Sequence, residues 1–233
     1  MCRYSMLAII SVLAGIGTAV AQPAQTEISP PPSTPAPAAP ASSPVTMEQP
    51  LPGDYWTYDI QDEILGTVKA TRTLVITEVT TAEISARFSL LGNPNSNSAV
   101  FDRSWNLAND GVWRHAPHDG TGIRLPLAVG KTWGFKSNDV NLNNGASWSR
   151  SGTSKVVGQE STTTKAGTFD TFKIETSYTT HNVSNPTRSA QVTLQTWYAP
   201  SIDHWVKRTF TSRVAGRLLE NNTQILVEYG RKP

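Results

Sequence analysis

Thiols are almost absent from this chain of 233 residues, whose only cysteine is Cys2. That cysteine lies in an N-terminal stretch expected to be removed, so a disulfide scaffold, a thiol nucleophile and a thiolate metal site are excluded together. Charge is scarce as well: Asp, Glu, Lys and Arg make up 16% of residues, with a net charge of +2, against the usual quarter of a soluble chain. No basic block stands out, which argues against a nucleic-acid partner. Only one apolar run exists, which excludes a multi-span membrane protein. Apolar residues at helical spacing are missing too.

Familiar catalytic signatures are also missing. Gly130-Lys131-Thr132 ends like a phosphate-binding loop, but the glycine needed five residues earlier is Leu125. Gly120-x-Gly122 lacks the third glycine of a dinucleotide fingerprint at the same position. Neither a G-x-S-x-G elbow nor an S-x-x-K pair occurs. The paired carboxylates of a glycoside hydrolase are set by the fold, and the acidic residues beyond residue 50 offer no selectable pair. No cofactor and no catalytic residue is expected.

What is present begins with a secretory signal. Arg3 precedes an apolar core from Met6 to Val20, and Ala19-Val20-Ala21 supplies a small-x-small site, so residues 1–21 read as a signal peptide cleaved before Gln22. Ser11, Gly15, Gly17 and Thr18 interrupt the core, which argues against a retained anchor, so no transmembrane span is expected in the mature chain. The product is expected in the periplasm or outside the cell.

Residues 22–50 hold nine of the sixteen prolines and no aromatic residue. Such a stretch cannot offset the entropy of ordering by burial and reads as a disordered, semi-stiff linker. Residues 51–233 then read as one domain with a period of two. Trp56-Thr57-Tyr58-Asp59-Ile60 and Ile84-Ser85-Ala86-Arg87-Phe88 alternate apolar with polar. Further strands are expected at 67–79, 98–107, 112–116, 131–137, 148–159, 168–180, 189–199, 204–214 and 222–229, divided by turn clusters such as Gly92-Asn93-Pro94-Asn95. The fold class is all-β: a single curled antiparallel sheet, half-barrel or barrel-like, with a sandwich as the alternative.

Asn109-Asp110-Gly111 predicts a hairpin with a three-residue loop. That register pairs Leu107 with Trp113 and Trp105 with His115, so that Trp105, Leu107 and Trp113 share a face. His115 and His118, with Asp119 adjacent and Asp102 or His204 as remote partners, have the spacing of metal ligands. Strand neighbours i and i+3 face opposite ways, however, and Pro117 breaks a helix, so no metal site is expected. Asp203 and His204 are neighbours on a strand and point apart. Most of the aromatic residues belong in the core. Trp105, Trp113 and Trp197 are the candidates to face a ligand.

The C-terminal third carries Ala166-Gly167-Thr168-Phe169-Asp170-Thr171-Phe172-Lys173-Ile174-Glu175, then Thr196-Trp197-Tyr198-Ala199-Pro200 and Val206-Lys207-Arg208. With Pro126-Leu127-x-Val129-Gly130-Lys131-Thr132-Trp133 and Gly53-Asp54-Tyr55-Trp56-Thr57-Tyr58, these segments resemble the TapB-like family of exported bacterial proteins, a group classed as a domain of unknown function. Lys165 stands where the family pattern has proline. The resemblance implies an exported antiparallel β domain, akin in shape to periplasmic half-barrels that carry lipids, and it brings no catalytic residues. The function expected is non-catalytic binding of an apolar small molecule or a cell-envelope component. The alternatives are an envelope hydrolase acting on glycan or peptide, and a structural or assembly protein of the envelope. Intact mass of the exported chain is expected to correspond to a start at Gln22; a retained Cys2 would overturn the export argument.

Overall fold

Twelve strands form among the described residues, where the alternation of the sequence predicts eleven. In β1, Asp54–Asp62, the side chains of Asp54, Trp56 and Tyr58 are buried while Tyr55 and Thr57 between them are only half so. One face of the strand therefore points inward. The same period recurs in β2 (Thr67–Val79), β3 (Glu83–Leu90), β4 (Ser96–Asp102), β7 (Thr132–Asn141), β8 (Ser147–Thr164), β9 (Gly167–Asn182), β10 (Ser189–Ala199), β11 (His204–Val214) and β12 (Arg217–Arg231). Two short strands, β5 (Leu107–Asn109) and β6 (Trp113–Ala116), complete the set. The computed structural model describes residues 47–232. The expected signal peptide and most of the expected linker lie outside them.

Each strand pairs antiparallel with its neighbours in sequence, and β1 also pairs with β12. The sheet is therefore a closed barrel rather than a half-barrel. Its closure is non-local, joining Asp54 to Arg231 and Asp62 to Asn222, and local alternation carries no trace of such a contact. Outward positions of β8 to β10 are Thr153, Lys155, Glu175, Ser177, Thr179, Gln191 and Thr193, all exposed. This is a polar wall, unlike the apolar band a lipid-facing barrel presents. No helix among the described residues is long and apolar enough to cross a membrane.

The expected strand 98–107 is broken by a turn after Asp102. Its carboxylate accepts the N–H groups of Ser104 (2.8 Å) and Asn106 (2.9 Å) and the amide of Asn106 (2.8 Å), an Asx turn that competes with the ladder. Trp105 consequently sits in the turn with φ 60° rather than on β5. The hairpin register differs as well: Asn109 pairs with Arg114, and Asp110 accepts the N–H groups of Val112 and Trp113. Leu107 is therefore not opposite Trp113. The Asp110 side chain closes the connection, which spans Asp110–Val112 rather than Asn109–Gly111.

Twelve strands enclose more space than their own side chains can fill, and two devices occupy it. At one end lies an aromatic floor. Trp56 stacks on His204 (ring centroids 4.4 Å apart), and Trp105 meets both edge-on. Tyr58 donates to the carbonyl of Trp205 (2.8 Å) and lies 2.5 Å from Nδ1 of His204. Burial, with the charge of Arg208, holds His204 well below its ordinary pKa, so the ring is neutral and Nδ1–H donates to the Tyr58 oxygen. Met47 seals the floor from below, buried and bonded through its N–H to Ser201 (2.7 Å). The ordered domain thus begins ahead of residue 51. The second device is the β6–β7 connection, whose residues 119–123 are buried inside the barrel.

The β8–β9 hairpin overshoots β10, whose last partner on β9 is Phe172. A register shift between Val156 and Gly158 bends it, and its tip reaches β1 and β12. There Lys165 bonds Asp59 (2.8 Å) and Phe169 meets Tyr229 (5.6 Å). Beneath the hairpin Trp197 is buried, its ring flanked by Lys173 and Lys207 and its N–H bonded to Glu160. Trp197→Ala is expected to lower stability by about 3–5 kcal/mol, as other cavity-forming aromatic truncations do. Lys165→Ala, which breaks an ion pair whose lysine is 73% exposed, is expected to cost under about 1 kcal/mol. Chemical denaturation of the two variants checks both values.

Candidate functional site

Above the aromatic floor the barrel holds a cavity of about 760 Å³. Exposed Lys69 and Glu220 stand at its rim, and its wall carries Trp113, His115, Asp119, Asp139, Trp148, Arg150, Tyr178 and Arg208. The strands place these side chains by parity. In β2 Arg72 shares the inward face with buried Leu74 and Ile76, and in β11 Arg208 shares it with buried Val206 and Ser212. A smaller chamber of about 160 Å³ lies against the same two arginines and is walled by Leu74, Phe88, Phe101 and Trp105. The main cavity therefore sets charged side chains among apolar ones such as Ile60, Leu107, Leu194 and Phe210, and the small chamber adds further apolar wall beside the arginines.

One wall is a buried ionic network. Asp139 accepts from Ser137 (2.9 Å) and from the Nε of Arg150 (2.9 Å), and it lies 2.7 Å from Nδ1 of His115. Burial alone would raise its pKa. The bond to His115 and the charge of Arg150 outweigh that and hold the carboxyl below its ordinary value. Arg150 also lies 3.9 Å from Asp119 and covers the face of Tyr178 at 4.7 Å. Asp119 accepts the N–H groups of Leu107 (2.9 Å) and Thr121 (3.1 Å) and the Thr121 hydroxyl (2.5 Å). It thereby pins the inserted β6–β7 connection to β5.

Arg72 and Arg208 are placed differently. Arg72 donates to Gln224 (3.1 Å) and lies over Phe88 at 4.8 Å; Arg208 donates to the Thr121 carbonyl (3.0 Å) and lies over Trp205 at 4.6 Å. The Nε of each is buried without a hydrogen-bond partner. Among the described residues neither has a carboxylate oxygen within 4.0 Å. Burial pushes both below their ordinary pKa, and the charge of Arg208 pushes Arg72 further.

Of the three tryptophans singled out from the sequence, Trp113 lines the main cavity. Trp105 is 2% exposed in the floor, donates to Asp203 (3.2 Å) and borders the small chamber. Trp197 lies beneath the β8–β9 hairpin and lines neither space. The histidines separate: His115 joins Asp139, whereas His118 accepts the Gly120 N–H (3.1 Å) and stands 4.0 Å from Asp102. No group of three His, Asp or Glu among the described residues could hold a metal ion. Gly120 and Gly122 serve packing, since a Cβ on either would collide with the Phe135 ring or the Ser104 carbonyl. The arginines escaped sequence reading. Their signal was a charge in the inward phase of a strand.

Fold and site together define an antiparallel barrel with a packed floor and a polar interior. No family model matches the chain, and no curated protein matches it. A solved candidate lipoprotein of Parabacteroides distasonis is similar over 81% of this chain and 100% of its own, at 15% identity and a TM-score of 0.53. At that identity the likeness concerns the fold alone. A candidate exported protein of Bacteroides fragilis with a YmcC-like fold covers 80% of this chain and 100% of its own, at 13% identity and TM-score 0.48. The hypothetical lipoprotein YmcC of Escherichia coli covers 78% and 86%, at 13% and 0.46.

Asp139→Asn would leave Arg150 and His115 without their buried partner and is expected to cost about 3–5 kcal/mol at neutral pH. Because the folded-state pKa is depressed, this contribution is present above the unfolded value near 3.8 and is lost as pH falls through the folded value. The gap in melting temperature between parent and variant should therefore narrow in acid.

Proposed function

We propose that this chain is an exported, non-catalytic barrel, of the TapB-like kind, that holds a small molecule in its interior. The cavity carries the proposal: its volume of about 760 Å³ falls in the range of small-molecule sites, roughly 300–1,000 Å³. Aromatic faces and convergent polar groups line it, and a packed floor closes it at one end. Export is supported by the Ala19-Val20-Ala21 site and the lack of thiols beyond Cys2. It agrees with the candidate lipoprotein status of the Parabacteroides chain of similar fold. Whether the ligand is free or part of a larger envelope component, the polar wall favours one with hydrogen-bonding groups over a purely apolar one.

A second reading, an envelope hydrolase, draws on one observation. A carboxylate orients a histidine on the cavity wall in the His115–Asp139 pair, as in a general base. Against it, Asp139 is also engaged by Arg150, and Ser137, the hydroxyl beside the pair, donates to the carboxylate rather than to the histidine.

Native mass spectrometry of protein taken from its own compartment tests the main reading. A bound mass is expected that leaves on denaturation. Trp113→Ala, at a half-buried position, is expected to lose the bound mass while melting close to the parent. An empty barrel from every preparation would overturn the reading, and turnover lost in His115→Asn with binding intact would favour the hydrolase.

A further inference from the structure

We infer that the interior ligand carries an oxyanion, a carboxylate or phosphate group, and that Arg72 and Arg208 bind it. This rests on the reading that the interior holds a small molecule. The argument is one of unpaired charge. Three arginines line the cavity and chamber together with three carboxylates below the rim. Asp119 and Asp139 both lie within 4.0 Å of Arg150, and Asp110 is spent on the N–H groups of Val112 and Trp113. Asp119 is further engaged by two N–H groups and a hydroxyl. Arg72 and Arg208 are left with one neutral acceptor each and a buried Nε that bonds nothing.

Both side chains are half-buried with their Nε shut off from solvent; an unpaired cation so placed is costly, and the usual remedies are a partner carboxylate or a shift to the neutral form. Arginine does not deprotonate in proteins, so the second remedy is closed. Two such groups, on β2 and β11 and both bordering the cavity and the chamber, form a receptor for an anion. The guanidinium fork matches the two oxygens of a carboxylate or phosphate. The rim charges, Lys69 and Glu220, pair with one another at 3.9 Å and do not supply the missing anion. Leu74, Phe88 and Phe101 beside the arginines provide apolar walls for whatever the oxyanion is attached to.

Calorimetric titration of the exported chain with three acids, each against its neutral counterpart, tests this: glucuronate and glucose, glycerol 3-phosphate and glycerol, decanoate and decanol. At least one acid is expected to bind roughly tenfold or more tighter than its counterpart, and which one distinguishes a sugar acid, a phosphate ester and a fatty acid. That preference should vanish in Arg72→Gln and in Arg208→Gln, and persist in Lys136→Gln, an exposed residue on the outer face of β7. Without ligand, Arg72→Gln is expected to melt at or above the parent temperature, since it removes an unpaired buried charge. A purely structural arginine would lower it. Should Arg208→Gln not fold, Arg208→Lys keeps the charge without the fork and is expected to weaken the acid.

Equal binding of acids and neutral counterparts would overturn the inference and leave the interior-binding reading standing. Preference surviving in both arginine variants would overturn it too. So would failure of every acid to bind at millimolar concentration. Binding of none of the six compounds, joined with an empty barrel in native mass spectra, would remove both readings.

Discussion

Closure depends on the seam between β1 and β12, the pairing that joins the first strand to the last. Asp54 anchors it. Its buried carboxylate accepts two bonds from Arg231 (2.5 and 3.0 Å) and the N–H of Leu51 (2.8 Å). Opening the seam would leave β1 and β12 as free edges with unpaired N–H and C=O groups. It would also divide the floor, where Trp56 of β1 and Leu226 of β12 are wholly buried. By excluding bulk water from the side, the seam strengthens the ion pairs inside and raises the cost of any charge left unpaired.

The two halves of the barrel do different physical work. The floor gathers Trp56, Tyr58, Trp105, His204 and Trp205, and its stability comes from area removed from water. Its imidazole, His204, is kept neutral and bonded to Tyr58. The upper half gives up that gain in order to keep an open polar space. Arg150 is reconciled there by Asp139, whereas Arg72 and Arg208 are not. Strain of this kind, concentrated beside a cavity and supported by a well-packed base, is what a binding site is expected to impose on its scaffold.

Much of the fold was legible because strand alternation is local. β2, β10 and β11 run over the residues their patterns predict. β8 and β9 continue further, through Ser- and Thr-rich sequence whose outward positions carry little apolar contrast. The turn at Asp102 was missed because its cause is a side-chain acceptor within an otherwise strand-like run. Closure was not legible, since it depends on residues far apart in sequence meeting in register. The site divides in the same way. Trp113, singled out by residue type, lines the cavity although the hairpin register expected for it does not form. Arg72 and Arg208 became visible only once Leu74 and Val206 showed which phase of their strands is inward. That neither has a carboxylate oxygen within 4.0 Å among the described residues is a fact of three dimensions alone.

The seam has a topological consequence. The N–H of Lys232 donates to the carbonyl of Gly53 at 3.0 Å, so the barrel's two ends already touch, and the domain is a ring of antiparallel neighbours. Where such a ring is cut matters little to its ladders. Joining the ends by a short link and reopening the chain at the exposed Asn143-Asn144 turn would keep every strand pair, turning the long-range seam into a local hairpin and the β7–β8 hairpin into the new seam. The order of the strands along the chain would then govern which contact forms last during folding, while the folded barrel stayed the same.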